Sequence, residues 1–242
     1  MKYQSTRDPS QQWYSFEEAI CTGYAPDGGL FVPQQLPILA NMKQTLREWS
    51  TYSYMELATD ILRLFIDEKE ISTKDLQTIM QQSFVGFSAS SIVPVVRVGP
   101  IYVAELFHGP TFCFKDLGMR VVVNLLAYFA TQRRRKVTLV VSTTGDTGPA
   151  AVQAVKDANS PWLGIVVHYP WGQISNFQQK QLTTAISSSV LVVAFQGGGD
   201  DMDIPIKRIL NTNDVSNSNR MICGVNSYNI GRPLMQMVHY VR

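Results

Sequence analysis

Residues 137–158 read VTLVVSTTGDTGPAAVQAVKDA, and this stretch decides the predicted fold. Its first five residues form a mostly apolar, β-branched run, which is typical of a strand covered on both sheet faces. A turn rich in glycine and threonine follows, and an alanine-rich helix is predicted from Pro149 to Ala158. The stretch is therefore one strand-turn-helix unit of an α/β protein.

Three further units along the chain follow the same plan. Strands are predicted at 162–167, 190–195 and 221–225, followed by helices at 173–185, 203–210 and 233–240. Successive strands separated by one helix run parallel in a sheet. We therefore predict an open, mostly parallel sheet with helices on both faces. Its ligand site is expected beyond the carboxyl ends of the strands.

The first third of the chain has a different pattern. Residues 42–66 carry apolar side chains at helical spacing, and Ser72 resembles the N-cap of a helix that reaches Phe84. We expect a mostly helical domain over residues 1–93 and an α/β domain over residues 94–242.

Composition excludes several classes of protein. The 242 residues contain 21 Lys and Arg against 19 Asp and Glu, a net charge of +2. This near-balance argues against a dedicated nucleic-acid binder, which needs a concentrated basic excess. The 3 cysteines lie far apart in the chain, so neither a disulfide framework nor a metal site is predicted. Their pattern suits a reducing compartment.

Membrane insertion is not expected either. The longest apolar run, Val121 to Ala130, falls far short of the roughly 20 residues that span a bilayer. The amino terminus lacks the hydrophobic core of a signal peptide. A cytoplasmic location is predicted, with unconventional secretion of a short form as the alternative.

The loop at residues 143–148, TTGDTG, is the first candidate site. It follows a strand and opens a helix, so its N–H groups and hydroxyls lie at the positive end of a helix dipole and suit a carboxylate or phosphate. It contains neither the lysine of a nucleotide P-loop nor a dinucleotide-binding GxGxxG pattern. A tight turn whose Thr and Asp only cap the helix is equally consistent.

Lys115 is the second candidate. It ends the segment ELFHGPTFCFKD at 105–116, which is rich in aromatic residues. An amine in apolar surroundings is favoured to be uncharged, and an uncharged amine condenses with an aldehyde. The pattern alone favours a simpler interpretation, in which the lysine stem lies along Phe112 and Phe114 and the amine reaches water.

The third candidate follows the last predicted strand. Asn226, Asn229 and Arg232 place two amides and a guanidinium at a strand-to-helix junction, a combination that holds a phosphate. Helix capping by Asn226 or Ser227 explains the same pattern equally well.

Taken together, these segments resemble the threonine synthase family, including the threonine synthase-like proteins of animals. The matching segments, in the family's order, are GYAPDGGLFVP at 23–33, the Lys115 segment at 105–116, TTGDTGPAA at 143–151, QQKQLTT at 178–184, residues 200–207 and NSYNIGRPLMQ at 226–236. The resemblance covers essentially the whole chain. It implies a pyridoxal-phosphate enzyme of fold type II, similar to the tryptophan synthase β subunit.

The resemblance also implies a role for each candidate residue. Lys115 would carry pyridoxal 5'-phosphate as a Schiff base, with Phe114 and Asp146 beside the cofactor. The substrate carboxylate would be held by Thr143, Thr144, Gly145 and Thr147, and the substrate phosphate by Asn226, Asn229 and Arg232. The substrate would be O-phosphohomoserine, which loses phosphate and adds water to give threonine.

Two alternatives stay open. A phospho-lyase would share the site and release 2-oxobutyrate, and a shortened, non-catalytic form would act through protein contacts. The family's chains continue well beyond this one, to a Gly-Asn-Phe-Gly loop that cradles the cofactor phosphate. We therefore expect a carboxyl-terminal truncation, weak cofactor binding, little turnover, and self-association through the incomplete sheet. The chain also departs from the family at Thr144 and Pro149, where serine is usual.

Overall fold

The structure is a computed structural model that describes residues 1–7, 12–211 and 220–241. The strands are β1 (Tyr3–Ser5), β2 (Phe31–Pro33), β3 (Val95–Val98), β4 (Ile101–Ala104), β5 (Lys136–Ser142), β6 (Leu163–Pro170), β7 (Val190–Phe195) and β8 (Arg220–Gly224). The helices are α1 (Phe16–Thr22), α2 (Met42–Trp49), α3 (Tyr54–Arg63), α4 (Thr73–Ser83), α5 (Lys115–Arg133), α6 (Thr147–Ala158), α7 (Asn176–Thr183), α8 (Gly199–Asn211), α9 (Gly231–Gln236) and α10 (Val238–Val241).

The four predicted strands form one parallel sheet in the order β7-β6-β5-β8. The most buried strand, β5, lies inside the sheet, and its Leu139 pairs with Ile165 of β6 and Cys223 of β8. The loop after β5 therefore leaves the sheet between the carboxyl ends of two neighbouring strands. The outer strands β7 and β8 are edges of this sheet, and self-association through them stays a prediction.

Helices cover both faces of the sheet. Because side chains alternate along a strand, Leu139 and Val141 of β5 face the main core, to which α5 and α6 contribute. Val140 points to the opposite face, where α8 packs and contributes buried Met202 and Ile206. This coverage explains why the strands read as apolar without alternation.

One hydrophobic core joins the two ends of the chain. It runs from Phe16 of α1 and Leu62 of α3 to Val238 of α10. The division between residues 93 and 94 stays a prediction.

The segment before residue 94 is more broken than its apolar spacing suggests. The helical pattern of residues 42–66 is divided between α2 and α3, because Ser53 caps α3 and forms a capping box with Glu56. Ser72 accepts a hydrogen bond from the Asp75 amide at 3.1 Å, which confirms the predicted N-cap of α4. Two antiparallel pairs, β1 with β2 and β3 with β4, were not predicted.

The predicted helix at 233–240 is two short helices that meet at Met237. Arg242, the last residue of the apolar end that suggested truncation, lies outside the described residues. Within the described ranges, no helix combines the length and apolarity needed to cross a bilayer.

Arg120 of α5 joins three helices. Its guanidinium pairs with Asp157 at the end of α6 and donates hydrogen bonds to the carbonyls of Ser83 and Val85 at the end of α4. The side chain is only 3% exposed. Arg120 thus fixes α5 and α6 against each other, and the amino termini of these two helices carry the candidate site.

The two ends of the chain also meet. The Asn229 amide donates to the carbonyl of Ile20 in α1 at 2.8 Å and to that of Gly224 in β8 at 3.0 Å. Beside it, the rings of Tyr24 and Tyr228 stack with centroids 4.0 Å apart. This junction holds α1 against the edge of the sheet.

Candidate active site

Lys115 is the first residue of α5, and its amine meets the amino terminus of α6. Nζ lies 3.3 Å from Oδ2 of Asp146, the N-cap residue of α6. It is also 3.9 Å from Sγ of Cys113 and 4.5 Å from the centroid of the Phe114 ring. The lysine side chain is 20% exposed. The Lys115 amine is therefore partly buried, lies against an aromatic ring and is paired with a carboxylate.

The position of Lys115 is fixed by its neighbour Asp116. This carboxylate is fully buried and accepts hydrogen bonds from the Thr111 amide at 2.8 Å and hydroxyl at 2.7 Å. Burial raises the pKa of Asp116, and the Thr111 hydrogen bonds offset part of that rise. A Cβ on Gly109 would overlap the Asp116 side chain, so the loop needs glycine there. The turn ends at Phe112, which adopts a left-handed backbone with φ of 61°.

Asp146 is held from two sides. Besides Lys115, it accepts a hydrogen bond from Nε2 of Gln178 at 2.8 Å. Oε1 of the same Gln178 accepts from the Ser175 amide and hydroxyl in the capping box of α7. Partial burial raises the pKa of Asp146, but the hydrogen bonds from Gln178 and Lys115 outweigh it and the pKa is lowered. The carboxylate is therefore kept ionised beside the amine.

Replacing Gln178 with leucine is expected to raise the pKa of Asp146, because a donor that favours the ionised carboxylate is lost. In the parent protein the ionised Asp146 carboxylate stabilises the folded state at pH values above the pKa that it has in the unfolded chain. That contribution is lost as the pH falls through the lower folded-state pKa. An NMR titration of the Asp146 carboxyl measures the change. Gln179→Leu, on the same helix but bonded to Tyr169, is the matched control and should leave the pKa unchanged. An unaltered pKa in Gln178→Leu would contradict the assignment.

The TTGDTG loop is shaped by its first threonine. Oγ1 of the buried Thr143 accepts hydrogen bonds from the amides of Gly145 at 3.1 Å and Gly148 at 2.9 Å. The amides of Thr144, Asp146 and Thr147 have no acceptor among the described residues. These amides lie at the amino terminus of α6, whose dipole favours an anion. Thr143 therefore organises the loop, and the amides that remain as donors for a ligand are those of Thr144, Asp146 and Thr147.

Arg232 of α9 lies in the wall of a neighbouring cavity. The cavity has a volume of about 490 Å³, and Lys115, Thr147 and Asn226 also line it. Arg232 is only 3% exposed, and within the described ranges it has no carboxylate partner. Its Nη1 lies 3.4 Å from the Val225 carbonyl, while its buried Nε has no partner. Burial lowers the pKa of Arg232, which is the expected response of a cation without a counter-ion.

The two asparagines that the sequence grouped with Arg232 play different roles. Asn226 lines the cavity, donates to the Ser142 carbonyl at 2.9 Å, and has a buried Oδ1 without a partner. Asn229 is fully buried, and both of its amide hydrogens bond to the carbonyls of the α1–β8 junction. Its side-chain amide has no hydrogen left for a ligand. Asn229 is also not among the residues that line the cavity, so the structure does not bring it to the site.

A second cavity of about 510 Å³ shares Leu106 and Phe114 with the first in its wall. Aromatic rings dominate its wall, including Phe107, Phe112 and Phe177, and Asp146 contributes the carboxylate. Lys115, Phe114, Asp146, Thr147, Asn226 and Arg232 are thus brought together around two adjoining cavities.

Sequence reasoning missed three residues of this region. Asp116 and Gln178 position Lys115 and Asp146, and His239 lines the Arg232 cavity. Of these three residues, only Gln178 is marked by a sequence pattern, because it is three residues after Ser175, the spacing of a capping box.

The comparison with known proteins agrees with this geometry. Residues 2–84 match the family model described as threonine synthase N terminus. The chain is 38% identical to threonine synthase-like 2 of Xenopus laevis over 241 residues, which cover 99% of this chain and 50% of that protein. These matches confirm the predicted resemblance to the threonine synthase family.

Solved structures of threonine synthases share the fold. The yeast threonine synthase superposes with a TM-score of 0.86 at 35% identity, over 99% of this chain and 48% of that one. The pyridoxal-phosphate-bound threonine synthase of Brucella melitensis gives 0.86 at 32% identity, over 100% and 51%. The predicted family and fold-type II architecture are confirmed. The chain spans about half the length of the threonine synthases and relatives it matches.

Proposed function

We propose that this threonine synthase family chain carries the lysine-bearing half of a pyridoxal-phosphate-dependent lyase that acts on O-phosphohomoserine. The observation that carries the proposal is the Lys115 amine, held 3.3 Å from Asp146 at the junction of an anion-binding loop and the Arg232 cavity. An amine, a carboxylate and a buried guanidinium in one place match an aldehyde cofactor and a doubly anionic substrate.

The residues present fit the cofactor. Lys115 is a primary amine, which is the group that attaches an aldehyde covalently. Phe114 supplies an aromatic wall, and Asp146 a carboxylate beside the amine. The buried, unpartnered Oδ1 of Asn226 is an acceptor for a hydroxyl or ammonium group of a ligand. When bound, pyridoxal phosphate supplies an electron sink for carbanions.

The substrate would be held by its two anionic ends. The amides of Thr144, Asp146 and Thr147 at the start of α6 suit its carboxylate, on a loop that Thr143 and Gly145 shape. Arg232, whose charge has no counter-ion among the described residues, suits its phosphate. Between these ends, Nζ of Lys115 is the group placed to move protons at the substrate carbons.

Loss of phosphate followed by addition of water at Cβ gives threonine. Release of the unsaturated product before water adds at Cβ, followed by its hydrolysis, gives 2-oxobutyrate and ammonia. Analysis of the products formed from O-phosphohomoserine distinguishes the synthase from the phospho-lyase.

Covalent labelling tests the proposal directly. We expect the 242-residue chain, incubated with pyridoxal phosphate and reduced with borohydride, to carry the label on Lys115 in peptide mass spectrometry. Lys115→Ala should abolish that label, whereas Lys156→Ala, at an exposed position of α6, should leave it intact. Equal labelling of Lys115→Ala and the parent chain, or a label confined to another lysine, would overturn the proposed function.

A further inference from the structure

His239 shares the Arg232 cavity but has no role in the function proposed above. It belongs to α10, and it lines the cavity together with Gln236 of α9. Its Nδ1 is buried and has no hydrogen-bond partner. Burial lowers the pKa of His239, so near neutral pH the ring is uncharged and carries one N–H donor.

The charged side chains that line the Arg232 cavity are both cationic. Lys115 from α5 and Arg232 from α9 line it, while no described residue of its wall is acidic. The carboxylate nearest to Lys115, Asp146, lines the phenylalanine-rich cavity instead. The guanidinium of Arg232 therefore stays uncompensated where burial makes an isolated charge costly.

Three residues of this wall have a buried polar atom without a hydrogen-bond partner: the acceptor Oδ1 of Asn226 and two nitrogens, Nε of Arg232 and Nδ1 of His239. A buried polar group without a partner destabilises the structure, and a ligand that bonds to it removes that penalty. An anion with several acceptor oxygens, such as a phosphate group, can accept hydrogen bonds from both nitrogens and also neutralise Arg232. The uncharged imidazole donates a hydrogen bond from Nδ1 in the tautomer that carries the proton on this nitrogen.

We propose that His239 is a further phosphate-binding residue, which donates a hydrogen bond to the anion that Arg232 neutralises. This inference rests on the proposed function, because the phosphate it would bind there is that of the substrate. It adds a recognition group from the last described helix of the chain.

Binding of inorganic phosphate to the 242-residue chain tests this role without any turnover. The chain has 3 histidines, so the ring signals of isotopically labelled protein can be assigned by substitution. We expect phosphate to shift the His239 ring signal. The His108 signal should stay in place, because that ring is held 2.7 Å from Glu105 outside this cavity.

The affinity for phosphate should follow the donor. His239→Phe is expected to weaken binding on the order of tenfold, as for the loss of one hydrogen bond to a charged group. His239→Gln, which keeps a donor, should recover part of that loss. An unfolding curve for each variant separates a binding defect from a folding defect, and the ring signal of the parent chain serves if a variant does not fold.

Unchanged affinity in His239→Phe, or a His239 signal that phosphate does not move, would overturn the inference. Its failure differs from failure of the proposed function. Labelling of Lys115 without an effect at His239 removes only the histidine, whereas phosphate binding at His239 without labelling of Lys115 removes the cofactor chemistry.

Discussion

Arg120→Met is expected to lower the free energy of unfolding by about 2–4 kcal/mol, because the change removes a buried donor and leaves its partners unpaired. The Ser83 carbonyl loses its bond in the core, and Asp157 loses its ion pair. Asp157 is 37% exposed, so water solvates its carboxylate after the ion pair is lost. This solvation moves the expected change in unfolding free energy toward the lower end of the range. Chemical denaturation followed by circular dichroism measures the difference.

Arg133→Met is the matched control. Arg133 lies on the same helix and pairs with Glu17, but its side chain is 67% exposed. Its replacement should change the unfolding free energy little, because exposed ion pairs contribute little. Equal effects of the two substitutions would refute the buried-junction explanation of Arg120.

Asn229→Ala is expected to destabilise the chain by about 2–3 kcal/mol while leaving phosphate binding intact. The substitution leaves the carbonyls of Ile20 and Gly224 without their amide donor, and also removes the acceptor of the Gly231 amide. Denaturation and phosphate titration of the same variant measure both quantities.

Asn226→Ala is the comparison for that experiment. Asn226 lines the Arg232 cavity, so its loss should weaken ligand binding more than that of Asn229. If Asn229→Ala abolished phosphate binding in a chain of undiminished stability, the structural role assigned to Asn229 would be wrong.

The sheet could be predicted because its cause is local. A mostly apolar run such as 137–141, followed by a turn and a helix, identifies a buried parallel strand from its own residues. The order β7-β6-β5-β8 could not be predicted, because it depends on which runs meet after the chain has folded. The hairpin of β3 and β4 was also not predicted. A half-buried strand alternates apolar and polar residues, but here apolar residues such as Val95, Val98 and Ile101 are exposed, so that alternation is absent.

The candidate site also has one part that local sequence predicts and another part that depends on residues distant in the chain. Lys115 and the TTGDTG loop stand out locally, by an unusual composition beside a helix start. The sequence could not separate Asn226 from Asn229, because the role of Asn229 depends on Ile20, 209 residues away. The capping-box pattern with Ser175 marks Gln178 as part of a helix start, but not as a partner of Asp146, which is 32 residues earlier. His239 was missed because the cavity that it lines is formed by residues far from it in the sequence.

The junction between α1 and β8 has a consequence for how this polypeptide is made. Ile20 leaves the ribosome early in translation, but its partner Asn229 is synthesised 209 residues later. Contacts of such long range form slowly, since the intervening loop must close first. Helix α1 therefore completes its contacts only after Asn229 has been synthesised. Phe16 meets its aromatic partners Tyr3 and Phe129 earlier, so in that interval it is the Ile20 end of the helix that is open to chaperones and proteases.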